Sequence, residues 1–194
     1  MVFKEIVIED ANFNLNKKNY NFFINLLNKN FVSSKLKINN SNIFFRNFEN
    51  EVLFINNILS AEYFYDTNEL KNIFYSENKI FNLPYTLKLF NNQLEKKMYS
   101  KLNIDLFKLQ VENEHFYADE IKLGTTEFIL NKLKGIGEYK INKDFFEFKI
   151  FDKLDDTKFS YNGKFNFQPF YSYLNGSTEE LNYTYLTSAY SIFS

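Results

Sequence analysis

The 194-residue chain is 45% hydrophobic and 20% aromatic, with 25 Phe and 14 Tyr, which is too apolar for a disordered segment. Its 23 Lys plus Arg balance 24 Asp plus Glu, and no basic stripe stands out, so the electrostatic footprint of a nucleic-acid binder is absent. The chain has no cysteine, which excludes disulfides and cysteine-based zinc sites or nucleophiles. Its 29 Asn accompany Phe, Tyr, Lys and Ile, which share A/T-rich codons, so the Asn content reads as genomic composition and not as a prion-like tract.

The opening "MVFKEIVIED" lacks the apolar stretch and small-residue cleavage site of a signal peptide. No run approaches the ~18 apolar residues of a membrane-spanning helix. In "KEIVIEDANFNL" (4–15), Ile6 and Ile8 alternate, then Phe13 and Leu15, as on a strand. "YNFFINLLNKNF" (20–31) breaks the rhythm. Tyr20, Phe23, Ile24 and Leu27 share a helical face and predict a short helix at about 18–29. Strands are then expected at 36–46, 51–58, 62–66, 72–78 and 85–91. In 96–113, Met98, Ser100, Leu102, Ile104 and Leu106 share a face before the phase slips to Phe107, Leu109 and Val111, which predicts a bulge or bend. Further strands are expected at 126–133, 137–142, 145–151, 158–170 and 180–186, with Asn-rich turns between them. The expectation is a single β-rich region over 1–194, mainly β: a meander of antiparallel strands with one early helix and no βαβ alternation. The end, "LTSAYSIFS", carries no stop signal, and the chain is expected to be a piece of a longer one.

One unit recurs. Residues 5–15 and 35–45 match at an offset of 30: Ile6 with Leu36, Ile8 with Ile38, Ala11 with Ser41, Asn12 with Asn42, Phe13 with Ile43 and Leu15 with Phe45. The shared pattern is a strand, a small polar jog and a resumed strand. Asn tolerates positive φ and bonds its own backbone, so "NNSN" is expected to turn or bulge the chain. Repetition of such units predicts a sheet extended by stacking similar elements.

Catalytic patterns are missing. His115 is the single histidine and stands among Glu112, Glu114, Asp119 and Glu120. One His without Cys is a poor basis for a transition-metal site, and a solvated turn is the expected setting. "DKLDD" (152–156) lacks the Gly and closing Glu of a calcium loop. No phosphate loop or nucleophile elbow occurs, so the chain is not expected to be an enzyme and no cofactor is expected.

The order of elements resembles part of the AsmA-like family, envelope proteins of Gram-negative bacteria related more distantly to TamB. The likeness is clearest at 4–91, in "IVIEDANFNL", "YNFFINLL", "LKINNSNIFFRN", "EVLFINNI" and "FYSENKIFNLPYTLKL", and returns in "FSYNGKFNFQPF" (159–170). The resemblance implies a twisted, curved open β-groove in the periplasm. The full-length parent would be anchored to the inner membrane by a helix absent from this chain. It also implies phospholipid transport between inner and outer membranes or outer-membrane assembly, with phospholipid acyl chains and other envelope proteins as partners and no nucleic acid.

The residues support such a groove without the family. A lipid-conducting face must be apolar, open along an edge and free of buried charge. Alternation supplies candidates: Ile38, Ile43, Phe45, Leu87, Leu89, Leu102, Ile104, Phe146, Phe148, Phe165 and Phe167. Each acyl CH₂ buried on them would contribute ~0.8 kcal/mol. Two other architectures use the same alternation: an adhesin-like β-sandwich packing this face against a second sheet, and a closed barrel around a small apolar ligand.

Overall fold

The computed structural model describes residues 4–16, 19, 34–47, 49–92, 95–116, 120–154 and 158–179. Among them the chain forms β1 (Glu5–Glu9), β2 (Asn12–Leu15), β3 (Lys35–Arg46), β4 (Val52–Asp66), β5 (Lys71–Ile80), β6 (Leu83–Asn92) and β7 (Lys97–Ile104). A 3₁₀ turn at Asp105–Phe107 leads to β8 (Leu109–Phe116), β9 (Lys122–Leu130), β10 (Leu133–Ile141), β11 (Phe145–Asp152), β12 (Phe159–Phe167) and β13 (Phe170–Thr178). The expected helix at 18–29, apart from Asn19, and the expected strand at 180–186 lie outside the described residues.

All the strands join one open sheet. From β3 to β13 each strand pairs antiparallel with the next in sequence, as short hairpin turns dictate. β1 and β2 depart from the expected meander: both lie parallel to β3. Their register is the sequence repeat itself, with Ile6 opposite Leu36, Ile8 opposite Ile38, Asn12 opposite Asn42 and Leu15 opposite Phe45. The offset of 30 is therefore a parallel pairing register.

The jog is real in both copies. Asp10 (φ 53°) and Asn40 (φ 47°) take the left-handed conformation, which Asp and Asn tolerate better than most residues. Ser41, 1% exposed, fastens the two: its Oγ accepts from the Ala11 N–H at 3.0 Å and donates to the Asn39 carbonyl at 2.8 Å. Asn42 extends the tie on both sides. Its Nδ2 donates to Asn12 Oδ1 at 3.0 Å, and its Oδ1 accepts from Asn57 Nδ2 at 2.6 Å. The register of β3 against β4 does not shift at Asn40; it shifts at Phe45/Arg46. The bulge lies one strand further on, where β4 slips against β5 between Ile58 and Ser60.

Several expected boundaries need correction. The expected strands 51–58 and 62–66 merge, from Val52 on, into one 15-residue strand, β4, because the chain absorbs Leu59 as a bulge and does not turn. The phase slip in 96–113 is a full reversal: Lys108 (φ 49°) closes the turn, and β7 and β8 pair as a hairpin. Leu106 is therefore 67% exposed in that turn and leaves the face that Met98 to Ile104 share. Asn131 (φ 56°) ends β9 inside 126–133, and Gln168–Pro169 divides 158–170 between β12 and β13.

Candidate functional site

Residues directly opposite each other in a sheet point to the same face, and residues two apart along a strand do likewise. Tracing the register from β3 to β13 therefore sorts every strand residue. The slip in β4 preserves the sorting, because regular β5 bridges it: Asn78 opposes Ile58 and Ser76 opposes Ala61.

All eleven candidate residues fall on one face. Ile38, Ile43 and Phe45 join it from β3, Leu87 and Leu89 from β6, and Leu102 and Ile104 from β7. Phe146 and Phe148 come from β11, with Phe165 and Phe167 from β12. They are half-buried, except Phe167 at 41% exposure. They form two groups. The β3, β6 and β7 residues continue through Val111 and Phe128. Phe146, Phe148 and Phe165 cluster separately, with Phe146–Phe148 and Phe148–Phe165 ring centroids 5.6 and 6.2 Å apart, and Phe167 stands at the end of β12.

Charge is sorted by the same register. Among the described strand residues, the apolar face carries only Lys122 and Asp152, each at a strand end. The opposite face holds the ion pairs Lys101–Glu112 (2.7 Å), Lys97–Glu114 (2.6 Å), Lys35–Glu62 (2.8 Å) and Lys153–Glu127. Its aromatic rings lie under cations: Lys71 over Phe90 at 3.8 Å, Lys97 over Phe116 at 4.5 Å and Lys164 over Phe145 at 4.5 Å. Depressions of about 320 Å³, around Lys88, Tyr99, Lys101 and Glu112, and about 520 Å³, around Glu138, Lys140, Glu147 and Lys149, belong to this charged face.

Alternation did not reveal two features of the apolar face. First, all five glycines lie on it, and none has positive φ. They provide space. Gly124, Gly135, Gly163 and Gly176 directly oppose Tyr139, Phe128, Phe148 and Tyr161, and a Cβ on any of them would meet that ring at 2.0 to 2.8 Å. Glycine opposite an aromatic ring is the sequence signal that could have found them.

Second, the face is interrupted by hydrogen-bonded polar groups. Asn56, Ser76 and Asn78 are buried. Asn56 Nδ2 donates to Asn78 Oδ1 at 3.2 Å, Asn78 Nδ2 donates to Ser76 Oγ at 2.7 Å, and the Tyr85 hydroxyl donates to Asn56 Oδ1 at 2.8 Å. The second cluster, on β8 to β10, contains His115, Asn113, Thr126 and Tyr139. His115 stands in β8 and is not in a solvated turn, while Glu112 and Glu114 point to the other face. Asn113 Oδ1 accepts from the Thr126 hydroxyl at 2.8 Å and the Tyr139 hydroxyl at 3.0 Å, and His115 Nδ1 lies 3.0 Å from the Tyr139 oxygen. Burial, with a smaller effect from Lys122, pushes the His115 pKa below its ordinary value. Burial pushes the Tyr63 phenol up to about 12. Among the described residues, every buried side-chain N or O has a partner.

No protein-family model, curated protein or solved structure matches this chain.

Proposed function

We propose that the chain is a segment of a lipid-handling β-groove of the AsmA-like kind, taking phospholipid acyl chains on its apolar face. Its parent would be a periplasmic protein anchored to the inner membrane, serving phospholipid transport between the membranes or outer-membrane assembly. The reading rests chiefly on one observation: eleven apolar residues, spread from Ile38 to Phe167, meet on one face from which charge is displaced to strand ends. The open edges and the partial exposure of that face favour a groove over a closed barrel. Among the described residues no second sheet covers it, which disfavours a sandwich.

Scale agrees with this reading. From β3 to β12 there are nine inter-strand steps. At ~4.8 Å each the face extends about 43 Å, longer than the ~30 Å hydrocarbon core of a bilayer. Between its two polar clusters, acyl chains lying across the strands would exchange one stretch of hydrocarbon for another with little change in burial.

The test is organic extraction and mass spectrometry of the purified 194-residue chain after expression in a bacterial envelope. Phospholipid retained by the wild type and lost from Leu102→Lys supports the reading. A lipid-free chain that also fails to take up phospholipid from vesicles would overturn it.

A further inference from the structure

The His115 cluster divides the apolar face. On one side lie Leu102, Val111 and Phe128; on the other, Phe146, Phe148 and Phe165. Its hydrogen bonds set what it presents. The Tyr139 hydroxyl has one hydrogen, which goes to Asn113 Oδ1. The Tyr139 oxygen then accepts from His115, so neutral His115 carries its proton on Nδ1 and leaves Nε2 as an acceptor. Asn113 uses Oδ1 twice within the cluster, leaving its Nδ2 donors for another partner. The cluster thus presents an amide donor and an imidazole acceptor between two hydrocarbon surfaces.

Electrostatics narrows the ligand. The apolar face carries no Arg among the described strand residues, and Lys122 is its only cation there. A phosphate or carboxylate brought to Asn113 would lose water and find only one cation to repay it, the exposed Lys122 at the end of β9. An uncharged ester needs only donors, and its flanking chains match the hydrocarbon on both sides.

We propose that the Asn113 amide, held by Tyr139 and Thr126, donates to the carbonyl oxygen of the uncharged ester linkage of an acyl lipid, with His115 beside it leaving Nε2 to water and the charged headgroup kept off the face. This rests on the groove reading above and specifies where along the face the lipid is held.

The test uses two probes delivered on cyclodextrin: methyl oleate and the alkene of the same chain lacking the ester. His115 is the only histidine, so its imidazole ¹⁵N resonances report the site without assignment ambiguity. Methyl oleate is expected to bind roughly fivefold tighter than the alkene, the scale of one added hydrogen bond, and to shift the His115 resonances. Asn113→Leu is expected to erase the preference while alkene binding persists. Equal binding of the two probes with unmoved His115 resonances would overturn the subsite and leave the groove standing. Binding of neither probe would overturn both. Sodium oleate outcompeting the ester would overturn the uncharged class.

Discussion

Tyr139 lies across Gly124, its direct partner on β9, so closely that a Cβ on the glycine would sit 2.0 Å from Cζ and 2.3 Å from the hydroxyl oxygen. The missing side chain lets the ring of a β10 residue span a whole strand and deliver its hydroxyl to Asn113 and His115 on β8. Gly124→Ala is expected to destabilise the chain by ~1–3 kcal/mol, because the ring must leave its place. Gly137→Ala provides the control. Its Cβ would meet Ile150 and Thr126 at an ordinary 3.7 Å, so the expected change is within ~0.5 kcal/mol. Urea unfolding of the two variants checks the contrast, and equal losses would contradict it.

The left-handed residue of the repeat gives a second contrast. Asn40→Gly is expected to be neutral or stabilising, whereas Asn40→Val is expected to cost ~1–2 kcal/mol, because a branched side chain resists φ 47°. Ser41→Ala removes the acceptor of the Ala11 N–H in a buried spot and is expected to cost ~1–3 kcal/mol. Denaturation midpoints measure all three.

Neighbouring residues on opposite faces test the sidedness of binding. Leu102→Lys puts an ammonium in the middle of the apolar face and is expected to weaken acyl-chain binding at least tenfold, ~1.4 kcal/mol. Lys101→Leu, one residue away on the charged face, breaks the exposed pair with Glu112 and is expected to leave binding unchanged. Its stability cost should be below ~1 kcal/mol. Titration with a fluorescent fatty-acyl probe separates the outcomes.

Acid should loosen the chain through His115. Its folded pKa lies below the unfolded value, so between the two the unfolded chain binds more protons, and stability rises with pH across that window. The neutral imidazole's contribution is fully present above the unfolded pKa of ~6.5 and falls as pH drops toward the folded value. Among the described residues, the titratable and charged groups facing it on this side of the sheet are Tyr139 and Lys122. Urea midpoints at pH 7.5 and 5.5 should fall for the wild type and fall less for His115→Phe. Parallel declines would contradict the assignment.

Parity is what made the candidate face legible. A residue two along a strand returns to the same side, so alternation alone grouped Leu87 with Leu89 and Phe146 with Phe148, and hairpin pairing joined the groups. Boundaries were harder. Lys108 and Asn131 turn the chain without glycine or proline, and Ser60–Ala61 imitates a turn inside β4 where the chain only bulges at Leu59. The offset of 30 was visible as repetition, but not its direction: identical side-chain patterns suit parallel and antiparallel neighbours alike, and only the path of the backbone distinguishes them. The polar clusters escaped because Asn56, Asn78 and Asn113 belong to an Asn-rich background. Position on the sheet, not residue type, separates a buried amide from an exposed one.

Strand-by-strand packing has a mechanical consequence. Among the described residues, apart from a small contact between the Asp105–Phe107 turn and β6, the substantial packing is between strands adjacent in the sheet, and nearly all of these are adjacent in the chain. Such a ribbon behaves as a one-dimensional series of springs. Tension applied at β13, whose residues are all exposed, would peel hairpins away one at a time, each releasing its own short length of chain at modest force. At the other end, β1 and β2 lie parallel to β3 and are separated from it in sequence, so the same pull would load their ladder in shear, with several hydrogen bonds resisting together. The sheet would therefore yield like a zipper from one side and hold like a clasp at the other.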